Sequence, residues 1–280
     1  MVLNAFDPWN SSRCTCPSKY SFCPYTGCPH GCLYCYITSY IPRPFEGRAK
    51  RDVLQRLARE LRGADVQRRY ASMANSSDPY PPMEREQEIT RRCLELFRER
   101  QVPVLVVTKS DLVARDAGLL AGMQASVSLS VTTLRHDVAR RIEPGAPSPS
   151  KRLEALRTLS ENGIPCSVRL DPLIPGLTDG EVEDVVSAVA PYCRHVVSST
   201  VKPRSDGLQR LRNAMPDVME QLRLTRRGNT YWLPEEQRRR LMRRVGRTCR
   251  AHGLTFASCR EGFAMDAPSC DGGHLLPSRQ

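Results

Sequence analysis

The chain has 280 residues, 12 of them cysteine, and 42 basic side chains against 30 acidic ones leave a formal charge of +12. That length suits one large domain, alone or with a modest extension, and excludes a disulfide-stapled miniprotein. Of the 42 cations 37 are Arg and five are Lys, a skew that genomic base composition explains as readily as phosphate binding does, so the charge assigns no partner by itself.

Residues 1–12 lack both the basic start and the sustained apolar run of a secretory signal. No apolar stretch approaches the roughly 18–20 residues of a membrane span, the densest being 102–107. The expected compartment is the cytosol, where thiols stay reduced and clustered cysteines hold metal more readily than they form disulfides.

Six cysteines, Cys14, Cys16, Cys23, Cys28, Cys32 and Cys35, crowd the beginning of the chain. After them, strand-length apolar runs alternate with helix-length amphipathic runs, the pattern of repeated βα units on a largely parallel sheet. Strands are predicted over 20–26, 66–73, 104–108, 125–131, 164–170 and 195–200. Helices are predicted over 51–62, 84–100, 150–162 and 179–190, with one more beginning at Ser110 or Asp111 as its cap and a Pro-rich loop over 141–149. Six units over 20–201 fit a partial, open (β/α)6 barrel of TIM type, flanked by a cysteine-rich N-terminal extension over 1–19 and a mainly helical C-terminal extension over 202–280. In that last extension the strand alternation stops, and helical runs over 206–223 and 234–252 take over. Parallel strands put their C-terminal ends on one rim, so the polar segments that follow them should converge there as the site.

The sharpest motif is Cys28-Pro29-His30-Gly31-Cys32-Leu33-Tyr34-Cys35, directly after the first predicted strand. Three thiolates on one tight loop can hold three irons of a cubane cluster and leave the fourth open, since soft sulfur ligands suit iron and sulfide. Tetrahedral zinc is the competing reading, with Cys23, Cys28, Cys32 and Cys35 or three of these with His30 as ligands; zinc ribbons usually come as two CxxC pairs, and no partner pair exists here.

These residues resemble the CxxxCxΦC signature of the radical S-adenosylmethionine (radical SAM) superfamily, with Tyr34 at its aromatic place. The stretches Pro24-Tyr25-Thr26-Gly27-Cys28, Cys35-Tyr36, Ser77-Asp78-Pro79-Tyr80 and Thr108-Lys109-Ser110 are similar, more narrowly, to the branch related to spore photoproduct lyase, often labelled DNA repair photolyase. The resemblance covers 14–205. It implies a [4Fe-4S] cluster on Cys28, Cys32 and Cys35 whose open iron is chelated by S-adenosylmethionine, and a low-potential donor such as flavodoxin or ferredoxin. It also implies reductive cleavage of the cofactor to a 5′-deoxyadenosyl radical that takes hydrogen from a substrate.

On this reading Lys109 pairs with the cofactor carboxylate, Ser76 and Ser77 bond its amino-acid part, and Ser130 reaches its ribose or carboxylate. Tyr34 and Tyr36 flank the cluster, Tyr36 supporting the adenine through its backbone, while Leu173, Ile174 and Pro175 offer the adenine an apolar face. Arg169, Asp171 and Ser199 are candidate substrate contacts, because an Arg inside a strand is costly unless paired. Photoproduct lyases carry a hydrogen-donating cysteine just before a Ser-Asp pair; here the stretch is Asn75-Ser76-Ser77-Asp78, with no thiol. That departure counts against the photoproduct repair reaction itself and leaves the shared radical initiation unaffected.

Cys14 and Cys16 at one end and Cys259 and Cys270 at the other form a candidate set for an auxiliary cluster. Zinc on Cys259, Cys270 and His274 is the alternative. Cys93, Cys166, Cys193 and Cys249 read as small core residues. Arg238, Arg239, Arg240, Arg243, Arg244 and Arg247 make one helix strongly basic, either as a solvated face or as a phosphate contact. Tyr231 and Trp232 beside it can stack a base or staple the helix to the barrel. Three functions therefore stay open: radical modification or repair of a nucleic acid or other macromolecule, radical modification of a small metabolite or lipid precursor, and a zinc-stabilised nucleic-acid-binding protein.

Overall fold

The computed structural model describes residues 1–6, 13–63, 69–73, 77–263 and 267–277. Its strands are β1 (Asn4–Ala5), β2 (Tyr20–Phe22), β3 (Tyr25–Thr26), β4 (Arg48–Ala49), β5 (Ala71–Met73), β6 (Val104–Thr108), β7 (Ala125–Ser130), β8 (Cys166–Leu173), β9 (His195–Thr200), β10 (Thr225–Arg227), β11 (Thr230–Trp232) and β12 (Thr255–Ser258). The helices are α1 (Val53–Glu60), α2 (Glu84–Gln87), α3 (Ile89–Glu99), α4 (Ala117–Ala121), α5 (His136–Ile142), α6 (Pro149–Glu161), α7 (Val182–Val189), α8 (Ser205–Ala214), α9 (Pro216–Glu220) and α10 (Glu235–Ala251). No helix among the described residues is long and apolar enough to cross a membrane.

Eight strands form one sheet in the order β1-β2-β5-β6-β7-β8-β9-β12, antiparallel only between β1 and β2. The six strands expected from the βα alternation are β2 and β5 to β9, so the partial TIM-type barrel stands. Residues 66–68 of the second predicted strand lie outside the described residues. The first strand is shorter than 20–26, because β3 leaves the barrel to pair with β4 in a separate ribbon.

Beyond Lys202 the structure departs from expectation. The alternation does not stop there: β10 and β11 form a hairpin, and α10 leads into β12, a further parallel strand on β9. The four-residue run Thr-Phe-Ala-Ser, followed by Cys259-Arg260-Glu261, carries too little apolar signal to read as a strand.

The alternation in β7 shows how the barrel is built. Val127 and Leu129 belong to the main apolar core, which also holds Leu156 and Leu159 of α6 and Val185, Val186 and Val189 of α7. Ser126, Ser128 and Ser130 occupy the other face, inside the barrel, in keeping with the period of two along a strand. Ser21, Ser72, Ser130, Arg169, Asp171 and Ser199 all face this interior, so the lumen is polar and the greasy layer lies between sheet and helices. A second, smaller core packs Val138, Ile142, Ile174, Val201, Leu208 and Leu211 together.

Glu261, just beyond β12, ties the added strand to the barrel. Its carboxylate accepts from the Thr200 amide at 2.7 Å and from the Thr200 hydroxyl at 2.9 Å, and pairs with Lys202 at 2.6 Å and Arg238 at 2.7 Å. Burial opposes its charge, but Lys202 and Arg238 outweigh that and hold its carboxyl below the usual range. Glu261→Ala strands two buried cations and should lower the unfolding free energy by about 3–5 kcal/mol, measured by urea denaturation at neutral pH. A depressed carboxyl stabilises the fold only while ionised, so the gap between wild type and variant should close as pH falls below about 4.3. A gap independent of pH in that window contradicts the assignment.

Candidate active site

The segment from Gly27 to Cys35 is pinned from several sides. The Cys28 amide donates to the Pro44 carbonyl at 2.7 Å, the Leu33 amide to Ile142 at 2.9 Å, and the Gly145 amide to His30 at 2.9 Å. Arg210 of α8 caps the carbonyls of Leu33 and Cys35, each at 3.1 Å. Two glycines permit this closeness: a Cβ on Gly27, whose φ is +72°, would lie 2.2 Å from the Glu46 carbonyl oxygen, and one on Gly145 would lie 2.2 Å from that of Pro29.

So held, Cys28, Cys32 and Cys35 line one cavity of about 540 Å³ at the C-terminal rim of the strands. Burial pushes the Cys28 thiol up to about 12 and raises Cys32 and Cys35 as well; the ammonium of Lys109 pulls both of the latter back toward thiolate. Cys23 takes no part. It is buried, donates to the Ser77 carbonyl at 3.7 Å, and is pushed up to about 11 by burial. Among the described residues no group of three His, Cys, Asp or Glu side chains is drawn together at the geometry of a single bound ion.

Two carboxylates organise the rim beside the thiols. Glu143 is fully buried and accepts from the Tyr34 hydroxyl and, at 2.7 Å, from the Thr132 hydroxyl. It pairs with Arg152 at 2.5 Å and lies 3.8 Å from Lys109. Burial works against its charge, yet Arg152 and then Lys109 prevail and bring its carboxyl down to about 2. The same carboxylate keeps Lys109 protonated despite burial. Asp78 accepts from the Thr108 hydroxyl at 2.6 Å and from the Lys109 amide at 2.8 Å, and His30 stands 3.4 Å from it.

On β8 and β9, Arg169 pairs with Asp171 at 3.0 Å, and the Ser199 hydroxyl donates to the other Asp171 oxygen at 2.5 Å. All three line the cavity. Burial opposes ionisation of Asp171, but Arg169 and Lys202 hold its carboxyl below its ordinary value.

The cavity thus gathers Cys28, Cys32, Cys35, Tyr34, Tyr36, Ser77, Lys109, Ser130, Arg169, Asp171 and Ser199. Ser77 is buried and donates to the Gly27 carbonyl, so its hydroxyl also braces the thiol loop. Ser76 lies outside the described residues. Ile174 does not reach the cavity: it is fully buried in the second apolar core, and Pro172 faces the cavity instead. The cause is local, since the Ile174 amide donates to the Thr178 hydroxyl in a turn that folds this segment away from the lumen.

Glu143 and Asp78 were not marked as site residues by the sequence. Asp78 lies inside a quoted motif, but Glu143 stands alone in a Pro-rich loop and carries no local signal. Cys14, Cys16 and Cys259 line the same cavity, and Cys270 lies against Cys16.

Residues 22–189 match the Radical SAM superfamily. The chain belongs to that superfamily. It is 31% identical over 178 residues to an uncharacterized protein of Methanocaldococcus jannaschii, covering 62% of this chain and 67% of the relative. An uncharacterized protein of Mycobacterium tuberculosis is 28% identical over 253 residues, covering 82% and 73%. A radical SAM Nα-GlyT isomerase of Pseudomonas phage M6 is 24% identical over 159 residues, covering 55% of this chain and 33% of the phage protein.

Among solved structures, spore photoproduct lyase complexed with dinucleoside spore photoproduct superposes with a TM-score of 0.68 at 14% identity, covering 91% of this chain and 79% of the lyase. Streptococcus suis SuiB bound to S-adenosylmethionine gives 0.60 at 14% identity, covering 85% and 49%. The likeness to both is one of fold. The protein is therefore a radical SAM enzyme on a lyase-like partial barrel, and membership implies a [4Fe-4S] cluster and S-adenosylmethionine as its cofactors.

The radical SAM loop depends on the missing side chain at Gly145. Gly145→Ala drives a methyl into the Pro29 carbonyl and should loosen the loop while leaving the barrel folded. In the metal-free protein, alkylation of Cys28, Cys32 and Cys35 should speed up severalfold, read by peptide mass spectrometry, with far-ultraviolet circular dichroism unchanged. Unaltered labelling rates would show that the contact does not hold the loop.

Proposed function

We propose that this enzyme ligates three irons of a [4Fe-4S] cluster with Cys28, Cys32 and Cys35, binds S-adenosylmethionine beside Lys109, and acts on a base of a nucleic acid. One observation carries the reading. The three thiols, the Lys109 ammonium and the Arg169, Asp171 and Ser199 set share a single cavity, whose lining also includes the exposed aromatics Tyr36 and Tyr40. A volume of about 540 Å³ lies in the range of sites for small molecules and cofactors.

Bound together, the cluster and S-adenosylmethionine supply one low-potential electron to the carbon–sulfur bond and a 5′-deoxyadenosyl radical that takes hydrogen from substrate. The chain's own residues position and enclose. Lys109, kept charged by Glu143, would pair with the cofactor carboxylate, and Ser130 and the lone pairs of Ser77 would accept from its polar groups. Tyr34 is locked by its bond to Glu143, which fixes the wall between the thiols and Lys109. Asp171, oriented by Arg169 and Ser199, offers a fixed acceptor to the substrate. Reduction comes from a flavodoxin or ferredoxin.

The nucleic-acid part rests on the cavity mouth. The rings of Tyr36 and Tyr40 stack at 6.2 Å with an interplanar angle of 24°, and the Arg204 guanidinium lies 5.8 Å from the Tyr40 ring. Solvent-facing aromatics beside arginine are suited to bases and phosphates. The shared fold with a lyase that takes a dinucleoside photoproduct supports a substrate of this class.

Anaerobically purified protein should be brown and, once reduced with dithionite, convert S-adenosylmethionine to 5′-deoxyadenosine; Cys32→Ala should lose the conversion. Lys109→Met should weaken S-adenosylmethionine binding by about tenfold, the loss of one charge-assisted contact of about 1.4 kcal/mol. A colourless protein containing only zinc, with no turnover, refutes the enzyme reading. Tyr40→Ala should weaken binding of a single-stranded oligonucleotide by about 1–3 kcal/mol. Unchanged affinity, or none in the wild type, removes the nucleic-acid part and favours a small-molecule substrate.

A further inference from the structure

Four thiols remain that the proposed reaction does not use. Cys14 and Cys16 lie between β1 and β2, Cys259 directly follows β12, and Cys270 lies in the tail. The Sγ atoms of Cys16 and Cys270 stand 3.1 Å apart. Cys14 and Cys16 are hydrogen-bonded through their thiols, and Cys259 acts electrostatically on Cys14, Cys16 and Cys270. All four are free thiols, and Cys14, Cys16 and Cys259 open on the same cavity as the radical SAM loop.

The surroundings are built. Lys19 is 3% exposed and forms a buried ion pair with Asp271, which also accepts from the Tyr70 hydroxyl at 2.8 Å. The Ser269 hydroxyl bonds His274 at 2.7 Å, and Gly272 has no space for a side chain, a Cβ there lying 2.8 Å from the Ser167 hydroxyl. The tail is thereby fixed against the segment that leads into β2. This is the seam of the open barrel, where the β1 and β12 edges of the sheet are left unclosed. Lys19, Arg169 and Lys202 bring positive charge toward the thiols, and the Arg169 guanidinium hydrogen-bonds Cys259.

We infer that Cys14, Cys16, Cys259 and Cys270 hold a second iron–sulfur cluster at this seam. A disulfide would use only two of the four thiols. All four donors are cysteine sulfur, the soft ligand that suits iron and sulfide. Four protein ligands leave no iron open, so this cluster binds no S-adenosylmethionine. It joins the two chain ends and, through the bond from Arg169 to Cys259, fixes the partner of Asp171. The inference goes beyond the radical SAM reading and uses none of that reading's ligands.

Iron and sulfide counting on the full-length, anaerobically reconstituted protein tests it. The wild type should hold about eight irons, the Cys28→Ala, Cys32→Ala, Cys35→Ala variant about four, and the Cys16→Ser, Cys270→Ser variant about four, each with an iron–sulfur signal in electron paramagnetic resonance after reduction. About four irons in the wild type with none in the triple variant, one zinc per chain lost with Cys16 and Cys270, or a Cys16 to Cys270 disulfide by mass spectrometry each overturn the second cluster and leave the first standing. Iron that persists in the triple variant and vanishes in the double variant, with no S-adenosylmethionine cleavage by the wild type, keeps the second cluster and removes the radical SAM assignment instead. If the triple variant does not fold, an unchanged iron count between wild type and the Cys16, Cys270 variant overturns the inference.

Discussion

A single buried carboxylate joins the parts of the rim. Glu143 receives the Tyr34 hydroxyl from the thiol loop, Thr132 from the segment after β7, Arg152 from α6 and the charge of Lys109 from the end of β6. Each of these elements arrives independently along the chain, and the ion pair with Arg152 is sealed from water. An ion pair of this kind contributes little net stability compared with an apolar contact of the same volume, but removing one partner is severe. Its value here is positional. A negative charge held by two hydroxyl donors and a buried guanidinium sets where an ammonium can stand.

The lumen follows the same logic on a larger scale. A closed eight-stranded barrel fills its interior with branched apolar side chains. This open sheet instead places serines on the inner faces of β2, β5, β7 and β9 and an ion pair on β8, and delegates apolar burial to the helices outside. Polar residues inside need partners or ligands, and the tail supplies some of them. Asp271 meets Lys19 and Tyr70, while Gly272 lies against Ser167 and His195. The net charge of the chain has a local counterpart, since Lys109, Arg169 and Lys202 all line this cavity.

Much of this was legible in the sequence, and for physical reasons. Three thiols at fixed short spacing can be read because one loop carries all the ligands, and strands such as Val104–Thr108 can be read because burial on both faces leaves a continuous apolar run. The Arg169 and Asp171 pair was legible because a charge inside a strand demands a partner. Glu143 was not, since its importance comes from residues up to 109 positions away that no local pattern links. Strand β12 was missed because its stability comes from the ladder with β9 and from Glu261 rather than from its own composition. Ile174 was misplaced because hydrophobicity marks burial without saying on which side of the sheet. The four outlying cysteines could be grouped because the two extensions that carry them flank an open barrel, and Cys16 does stand against Cys270.

The tail that lines the lumen also bears on when the site can exist. One wall of the cavity comes from Cys259, Arg260 and Asp271, while the thiol loop lies near the other end of the chain. During synthesis the loop emerges early, yet its cavity lacks that wall until the ribosome has passed residue 271. Until then the loop has its own contacts to Ile142, Gly145 and Arg210 but not that cover. A sequence separation of this size makes the last contacts the slowest to form.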